Sequence, residues 1–320
     1  MKKINLLLII VRVFVRVLVA GATGFVGREL VRVLFEKGHD ILILTRNVES
    51  AVLKIPAGCK VIEWSPNVNF LAPSLISKVD VVINLAGENI ADGRWTKKRK
   101  KKILDSRVMS VKRLAEALKF LNHKPKLFIS ASAIGYYGNC DAKEIDEKTS
   151  IGNGFLSDVC QKWENEIFEI EKLGIRTVAC RIGMVLGHDG GVLKRMILPF
   201  KLGLGGKLGT GKQWISWIHI NDLVNILVYT MEDASINGVI NAVSPNPTMN
   251  IDFTSVLGKT LNRPTIFALP TFFLRFIFGE LSELLLGSQR VLANRMLDKG
   301  FKFQYGKLED ALMEVCRHPC

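Results

Sequence analysis

The chain has 320 residues, a formal net charge of +14 at pH 7 and a hydrophobic content of 48%. This content is sufficient for a full globular core, and a chain of this length could form one large domain or two. The cysteines are scattered without a C-x-x-C pair, and the histidines show no ligand spacing. These patterns argue against a zinc site or a disulfide framework, so we expect no metal and a soluble protein of a reducing compartment, the cytoplasm or an organelle stroma or matrix.

Residues 1–15 precede the first predicted strand and read MKKINLLLIIVRVFV. The apolar run before Arg12 is too short to span a bilayer, and no small-residue cleavage site separates it from the fold. We interpret this segment as an N-terminal extension outside the core, with weak membrane association as the alternative. We expect no integral membrane span elsewhere, because the apolar run at 267–278 is short and contains Pro270 and Arg275.

A glycine-rich turn is the main motif of the chain. Gly21, Gly24 and Gly27 form G-x-x-G-x-x-G between an apolar run at 17–20 and an amphipathic segment at 29–37. A glycine turn between a strand and a helix is the context in which this motif binds a dinucleotide, with the pyrophosphate at the helix N-terminus. The glycines allow the tight turn, the approach of the pyrophosphate and close helix packing. A glycine-rich turn without a ligand is the alternative.

The end of the second predicted strand, at 41–44, indicates which dinucleotide binds. An NAD site usually has an acidic residue here, which bonds the ribose 2′-hydroxyl. This chain has Thr45 and Arg46, and no acidic residue follows until Glu49. A guanidinium suits a 2′-phosphate, because it forms bidentate charge-assisted hydrogen bonds. We therefore predict NADP(H), and the alternative is that Arg46 is a solvated surface side chain.

Strands and helices alternate along the next part of the chain. Further strands are predicted at 61–64, 79–85, 126–130, 175–182 and 239–243, and helices at 95–121, 155–173 and from about 222 onward. This alternation predicts an α/β fold with a Rossmann-type, doubly wound parallel sheet.

The alternation of strand and helix patterns ends after Gly183, where glycine-rich loops flank an amphipathic segment at 192–202. The motif at 245–247, Pro-Asn-Pro, then marks a boundary. We predict an NADP(H)-binding Rossmann domain at 16–245, with a substrate-side insertion at about 186–215. A smaller, mostly helical C-terminal substrate domain is predicted at 246–316.

A basic run, RWTKKRKKK at 94–102, carries part of the excess charge. Such a run is typical of contacts with nucleic acid or an anionic membrane, or of a solvated helix start that attracts an anionic cofactor or substrate. We favour the solvated helix start and expect no nucleic-acid partner, because no nucleic-acid-binding motif accompanies the run.

Several strand ends resemble those of extended short-chain dehydrogenases/reductases, namely GATGFVG, NLAGENI, SASAIGYYG and RIGMVLG. Longer segments, such as RWTKKRKKKILDSR, WISWIHINDL and GFKFQYGKLEDAL, are similar to an atypical subgroup called epimerase family proteins. This subgroup, linked to sugar-nucleotide epimerases, joins a Rossmann domain to a small C-terminal domain of unknown function. The resemblance runs from about residue 16 to about residue 315.

The resemblance implies cofactor-binding positions. Around the pyrophosphate these are Gly21, Thr23, Gly24, Phe25, Val26 and Gly27. Around the adenosine and the riboses they are Thr45 and Arg46 for the 2′-phosphate, then Leu85, Ala86 and Gly87. Lys102 and Arg107 would face the cofactor, and Gly183 to Val185 would flank the nicotinamide. Glu88 either binds a ribose hydroxyl or caps the chain locally.

The usual acid/base pair of these reductases is missing. They use a Ser together with Tyr and Lys in the spacing Y-x-x-x-K. No tyrosine of this chain has Lys four residues later, and the family pattern puts Leu156 at the Tyr and Cys160 at the Lys. Ser132 matches the Ser and would hydrogen-bond a carbonyl oxygen, while Arg107 stands where Asn is common.

Other groups are candidates for the missing acid/base. Tyr136, together with Ser132, is our candidate catalytic residue, and Tyr137, Lys162 and His219 are alternatives. Each also has a structural interpretation, such as a pocket wall, a solvated lysine or a core histidine bonded to a backbone carbonyl.

We expect an NADP(H)-dependent oxidoreductase or epimerase-like protein that acts on a small carbonyl or nucleotide-sugar type molecule. The alternative is a non-catalytic NADP(H)-binding sensor, which the missing Tyr and Lys favour. The glycine-rich loops and the second domain favour the enzyme. The oligomeric state stays open, and a homodimer is compatible with the sequence.

Overall fold

The computed structural model describes residues 14–67 and 70–317, so most of the extension predicted at 1–15 lies outside the described residues. The strands are β1 (Arg16–Ala20), β2 (Asp40–Thr45), β3 (Lys60–Glu63), β4 (Val81–Asn84), β5 (Leu127–Ala133), β6 (Glu144–Ile145), β7 (Arg176–Ile182), β8 (Met184–Leu186), β9 (Gly206–Leu208), β10 (Trp214–Ile215), β11 (Trp217–His219), β12 (Gly238–Ala242), β13 (Thr248–Met249), β14 (Phe267–Leu269) and β15 (Arg290–Val291).

The helices are α1 (Phe25–Glu36), α2 (Val48–Val52), α3 (Lys97–Lys119), α4 (Phe155–Glu169), α5 (Gly191–Lys201), α6 (Ile220–Glu232), α7 (Asn250–Thr260), α8 (Thr271–Phe278), α9 (Glu283–Leu286), α10 (Asn294–Asp298) and α11 (Leu308–Arg317). Short 3-10 turns lie at Pro73–Ile76, Ile134–Tyr137, Ile170–Leu173 and Gly279–Ser282. Within the described residues, no helix is long and apolar enough to cross a bilayer.

Seven strands form one parallel sheet in the order β12-β7-β5-β4-β1-β2-β3. Val19 of β1 lies opposite Ile43 of β2 on one side and Ile83 of β4 on the other. After β3 the chain returns to the other side of β1, so the strand order reverses between β1 and β4. The predicted Rossmann-type sheet is therefore confirmed, and ligands bind such sheets at the carboxyl ends of the strands where the order reverses.

Both faces of the sheet are buried. Val19 faces a core that includes Leu30 of α1 and Leu227 of α6, whereas Leu18 faces a core that includes Leu114 of α3 and Ile167 of α4. Strands covered on both sides read as continuous apolar runs, which is why β1, β2 and β4 could be recognised in the sequence.

A third core joins the segment after β7 to the C-terminal part of the chain. Trp217 of β11 and Leu193 of α5 pack with Phe253 and Leu257 of α7 and with Leu312 of α11. The insertion and the C-terminal helices therefore share one apolar interior and are held together at the end of the sheet where β7 and β12 finish.

The element bounds differ from the predicted ones in a few places. Helix α1 begins at Phe25, directly after its N-cap Gly24, rather than at residue 29. The helix predicted at 155–173 ends at Glu169 and continues as a 3-10 turn. The two-stranded pairs β8–β11, β9–β14, β10–β13 and β6–β15 were not predicted, because strands of two or three residues are too short to show a hydrophobic period.

Candidate functional site

The glycine turn brings the end of β1 against the end of β4. Gly21 has a φ of +83°, and a Cβ on it would lie 2.6 Å from the carbonyl carbon of Leu85. A Cβ on Gly27 would lie 2.2 Å from the Gly21 carbonyl oxygen. No side chain could be added at either position without moving backbone, so this turn forms a cradle of bare backbone at the strand ends.

The first turn of α1 faces this cradle with unused backbone donors. Gly24 is its N-cap and provides no side-chain cap, and the first turn carries no acidic residue. Thr23 and Val26 are half-buried on either side. A helix N-terminus of this kind attracts an anion, because its N–H groups and the helix dipole both favour negative charge.

The ring of Phe25 is enclosed by the glycine-rich loop before α5. A Cβ on Gly187, Gly190 or Gly191 would come within 2.7, 2.6 and 3.2 Å of this ring. The loop therefore folds against the residue that starts α1, and side chains in the loop would separate the two.

The end of β2 presents a cation. Arg46 is exposed, whereas Thr45 is buried and its hydroxyl donates to the Asn47 carbonyl at 3.2 Å. Asn47 caps α2 by accepting from the Ser50 N–H at 2.7 Å. The short helix and the local hydrogen bonds fix the backbone from which the Arg46 side chain projects.

The end of β4 is ordered by a buried amide. Asn84 donates to Ser110 at 3.2 Å and accepts from the Ala86 N–H at 3.2 Å. The Leu85 N–H donates to the Ala20 carbonyl at 2.8 Å, and Gly87 is exposed at the strand end. These bonds hold the backbone of 85–87 in place beside the glycine turn.

Glu88 is the centre of a charged cluster at the start of α3. Its carboxylate accepts from Arg99 at 2.9 Å and lies 3.1 Å from the Lys102 Nζ, and its carbonyl accepts from Arg107 at 3.0 Å. Burial alone would raise the pKa of Glu88, but Arg99 and Lys102 outweigh it and leave this pKa below its usual value. The structure therefore brings Lys102 and Arg107 together at Glu88, and Arg99 joins them.

Arg107 lies deeper than the other two cations. Its guanidinium is 5.3 Å from the centre of the Trp163 ring, and a Cβ on Gly87 would be 3.4 Å from its Cζ. Burial lowers the pKa of Arg107 below its ordinary value. This side chain forms part of the floor beneath the 85–88 segment.

Gly183 connects the end of β7 to β8 at a close backbone crossing. A Cβ on it would lie 2.6 Å from the Ser216 carbonyl oxygen, which also accepts from the Met184 N–H at 2.8 Å. Val185 lies opposite Ile218 of β11 and packs against the main core. The predicted nicotinamide-flanking residues thus lie where the sheet meets the insertion.

Ser132 lies in a buried ionic network that the sequence analysis missed. Ser132 is 3% exposed, and its hydroxyl donates a hydrogen bond to the Glu164 carboxylate at 2.6 Å. Arg181 of β7 forms two hydrogen bonds to the Glu164 carboxylate, at 2.9 and 2.7 Å. Burial alone would lower the pKa of Arg181, but Glu164 outweighs it and raises this pKa. The catalytic role of Ser132 stays a prediction, and in this structure its hydroxyl hydrogen is used by Glu164.

The two tyrosines after β5 differ in surroundings. Tyr137 is fully buried and bonds Asn241 at 2.8 Å and Arg181 at 2.9 Å. Burial raises its pKa to about 12, although Arg181 acts in the other direction. Tyr136 is half-buried, with the Arg181 guanidinium 3.4 Å from its ring centre. Tyr136 is therefore the more accessible of the two phenols.

The positions of the missing Tyr and Lys differ in their surroundings, since Leu156 lies in an apolar cluster and Cys160 is buried near the charged side chains of Glu164 and Arg107. Leu156 joins a cluster with Trp95, Ile103 and Phe278 at the start of α3 and α4. The Cys160 thiol is buried and lies 3.6 Å from the Ala133 carbonyl, and burial raises its pKa to about 12. Leu156 and the buried Cys160 therefore do not reproduce the phenol and the ammonium group of the usual reductases.

The other two alternatives lie outside this cluster. Lys162 is exposed on α4. His219 is the last residue of β11 and is buried next to α11. Its Nδ1 accepts from the Asn221 N–H at 3.2 Å, and its Nε2 donates to Glu314 of α11 at 2.9 Å. His219 is thus a core histidine with both ring nitrogens bonded, to a backbone N–H and a carboxylate rather than to a backbone carbonyl.

We expect His219 to make the fold sensitive to mild acid. Burial lowers its pKa below the ordinary value, although Glu314 acts in the other direction. Because His219 binds a proton more readily in the unfolded chain, the buried neutral imidazole contributes to the free energy of unfolding above the unfolded pKa. This stability is lost as pH falls, at up to about 1.4 kcal/mol per pH unit. Urea unfolding of His219→Gln between about pH 7 and 5 should show a flatter pH dependence than the unsubstituted chain, whereas the exposed His123→Gln should not. Parallel profiles for all three proteins would contradict this assignment.

Comparison with known proteins shows the family to which the chain belongs. The family model described as "NAD dependent epimerase/dehydratase family" matches residues 17–242, and a domain of unknown function, DUF1731, matches residues 269–315. The chain belongs to the NAD dependent epimerase/dehydratase family. The resemblance to epimerase family proteins is therefore confirmed, including the C-terminal domain of unknown function.

Similar proteins are found within this epimerase family. Epimerase family protein YfhF of Bacillus subtilis is 39% identical over 297 residues, which cover 92% of this chain and 96% of that protein. The crystal structure of human epimerase family protein SDR39U1 (isoform 2) with NADPH is 33% identical, with a TM-score of 0.83 and coverage of 95% and 99% of the two chains. A nucleoside-diphosphate sugar epimerase from Corynebacterium glutamicum is 31% identical, with a TM-score of 0.77 and coverage of 95% of this chain and 58% of that one.

The residues that sequence reasoning missed had left a signal. Glu164 lies in step with Cys160, Trp163 and Ile167, the buried stripe of α4. An acidic residue within a buried stripe requires a buried partner, because an unpaired charge there is costly. Arg181, inside the apolar strand β7, is the matching basic residue.

No three His, Cys, Asp or Glu side chains of the described part of the chain are grouped to hold a metal ion.

Proposed function

We propose that the chain binds NADP(H) at the carboxyl ends of β1, β2 and β4. The observation that carries this proposal is the backbone cradle at Gly21 and Gly27, which leaves no room for a Cβ, combined with the exposed Arg46 at the end of β2. The cradle and the α1 N-terminus would hold the pyrophosphate, and Arg46 the 2′-phosphate. The NADPH-bound human relative supports the same choice.

We further propose that the bound cofactor serves a reaction on a small molecule of the carbonyl or nucleotide-sugar type. The cofactor would supply hydride chemistry, and the chain would orient the substrate between the sheet edge and the C-terminal helices. The Corynebacterium relative described as a nucleoside-diphosphate sugar epimerase supports this substrate class. Tyr136 is the proposed acid/base, because it is the accessible phenol beside Arg181.

A non-catalytic NADP(H) sensor is the second candidate. It is favoured by the packing of Leu156 into an apolar cluster, by the burial of the Cys160 thiol and by the hydrogen bond that the Ser132 hydroxyl donates to Glu164. A sensor needs cofactor binding without proton transfer, so its function would not require the Tyr and Lys that Leu156 and Cys160 replace.

We expect Arg46→Ala to weaken NADPH binding about 10- to 100-fold and NADH binding hardly at all, because a charge-assisted hydrogen bond to the 2′-phosphate contributes about 1.5–3 kcal/mol. Calorimetric titration of both cofactors measures this. The matched control is Lys54→Ala, which removes an exposed cation beyond α2. Equal affinity of the unsubstituted chain for the two cofactors, or an unchanged Arg46→Ala, would contradict the assigned 2′-phosphate site.

Turnover distinguishes the enzyme from the sensor. The purified chain with NADP(H) is incubated with a panel of carbonyls and nucleotide sugars, and the nicotinamide absorbance and the epimeric products are followed. The enzyme predicts turnover that Tyr136→Phe reduces while NADPH affinity is retained. Tight NADPH binding without turnover on any member of the panel would favour the sensor.

A further inference from the structure

Exposed large apolar side chains are concentrated on one part of the surface. Those on α5, α7, β14, α8, α9 and the adjoining loops are Leu198, Leu202, Leu204, Ile251, Ile266, Phe267, Phe272, Phe273, Phe276, Ile277 and Leu284. We call this surface the aromatic face. Contiguous apolar patches of this kind on a soluble chain mark an interaction site.

Helix α8 forms the ridge of the aromatic face. Phe272 and Phe276 lie one turn apart and are 74% and 79% exposed, whereas Leu274 is 2% exposed on the inner side. Phe278 packs into the cluster that contains Trp95 and Leu156. The helix is therefore anchored from beneath, and its outer aromatic side has no partner within the described residues.

Hydrogen bonds join α8 to the basic run at the start of α3. Arg94 donates to the Ile277 and Phe276 carbonyls at 3.0 and 2.9 Å. On the other side, Arg263 donates to the Lys201 carbonyl at 2.8 Å, and β14 pairs with β9. The loop before α3, the segment around α5 and the segment around α8 thus form one continuous surface.

The charge of this surface is mostly positive. The stretches 93–104, 190–212 and 263–279 contain no Asp or Glu. Lys97, Lys98, Lys201 and Arg275 are exposed among them. Of the acids nearby, Glu280 pairs with Lys100, and Asp252 and Glu283 are exposed on α7 and α9. Basic side chains therefore outnumber the carboxylates around the exposed phenylalanines.

We propose that the aromatic face, with the adjoining basic run at 94–102, binds the surface of an anionic lipid bilayer. Aromatic rings enter the boundary between headgroups and acyl chains, while Lys and Arg side chains meet the anionic headgroups. A second copy of the chain fits less well, because two such surfaces would repel each other. Nucleic acid would meet the lysines but leave the aliphatic part of the face in water.

The experiment measures binding of the full chain to sedimenting vesicles of phosphatidylcholine, alone or mixed with phosphatidylserine. We expect binding to the mixed vesicles only, with a loss on raising salt, since such attraction is screened within a Debye length. Phe272→Ser combined with Phe276→Ser should weaken this binding at least about tenfold. The matched control is Leu53→Ser combined with Phe120→Ser, side chains 88% and 70% exposed on other parts of the surface.

A second variant tests the charge. Lys97→Glu combined with Lys98→Glu should also weaken binding about tenfold or more, while Lys54→Glu combined with Lys60→Glu should change it less. Acidic residues suit the first turn of α3, so circular dichroism should show an intact fold. Equal binding to neutral vesicles, unchanged binding of the double phenylalanine variant, or binding to single-stranded RNA without binding to vesicles would each overturn the proposal.

Discussion

Replacement of Glu164 by Leu is expected to lower the free energy of unfolding by about 3–5 kcal/mol, because it leaves the Arg181 guanidinium buried without its counterion. Both side chains are nearly inaccessible, at 6% and 4% exposure, and they share two hydrogen bonds. The Ser132 hydroxyl would lose its acceptor as well. Urea unfolding monitored by circular dichroism measures the change.

Two further variants separate charge from packing at this site. Glu164→Leu combined with Arg181→Met should recover much of the loss, because replacing both members of a buried pair by apolar groups is often close to neutral. Glu169→Ala, which breaks an exposed pair between the last residue of α4 and Lys172 of the following 3-10 turn, should cost at most about 1 kcal/mol. If Glu164→Leu costs no more than Glu169→Ala, the network is not a stabilising element.

Gly21→Ala should produce the second large effect, a loss of about 2–4 kcal/mol in unfolding free energy and a loss of NADPH binding of more than about tenfold. The added Cβ combines two costs, a φ of +83° and a separation of 2.6 Å from the Leu85 carbonyl carbon. Relief of the contact would move the end of β1 away from the end of β4, where the pyrophosphate is proposed to bind.

Gly174→Ala is the matched control for the backbone conformation. Gly174 has a φ of +76°, but nothing lies within 4 Å of an added Cβ. It should therefore show only the conformational cost, about 1–2 kcal/mol, and retain NADPH affinity. Equal losses of stability and affinity in the two variants would contradict a specific role of the Gly21 contact.

The sheet could be predicted from sequence because its strands are covered on both faces. β1, β2 and β4 appear as uninterrupted apolar runs, and the glycine turn identifies the strand from which the cofactor edge begins. Apolar runs and glycine turns predict structure because each lies within a few consecutive residues. The helix α3 was predicted in the same way from its apolar residues, and the family resemblance added the domain of unknown function at the C-terminal end.

The arrangement around Ser132 could not be predicted in the same way. The network joins residues 32 and 17 positions apart, and only the folded sheet brings them within hydrogen-bond distance. The family pattern marked Ser132 by its position after β5, but a pattern does not state which partner occupies the hydroxyl. The clamp of Glu88 by Arg99 was hidden in the same manner within the basic run.

The position of β12 has a consequence for synthesis of the chain. β7 pairs with β5 on one side and with β12 on the other, yet β12 begins at Gly238, long after β7 ends at Ile182. A ribosome that has made β7 leaves the outer backbone groups of this strand unpaired until the insertion has also emerged. An open strand edge of this kind invites pairing with other nascent chains, so chaperone protection matters in that interval.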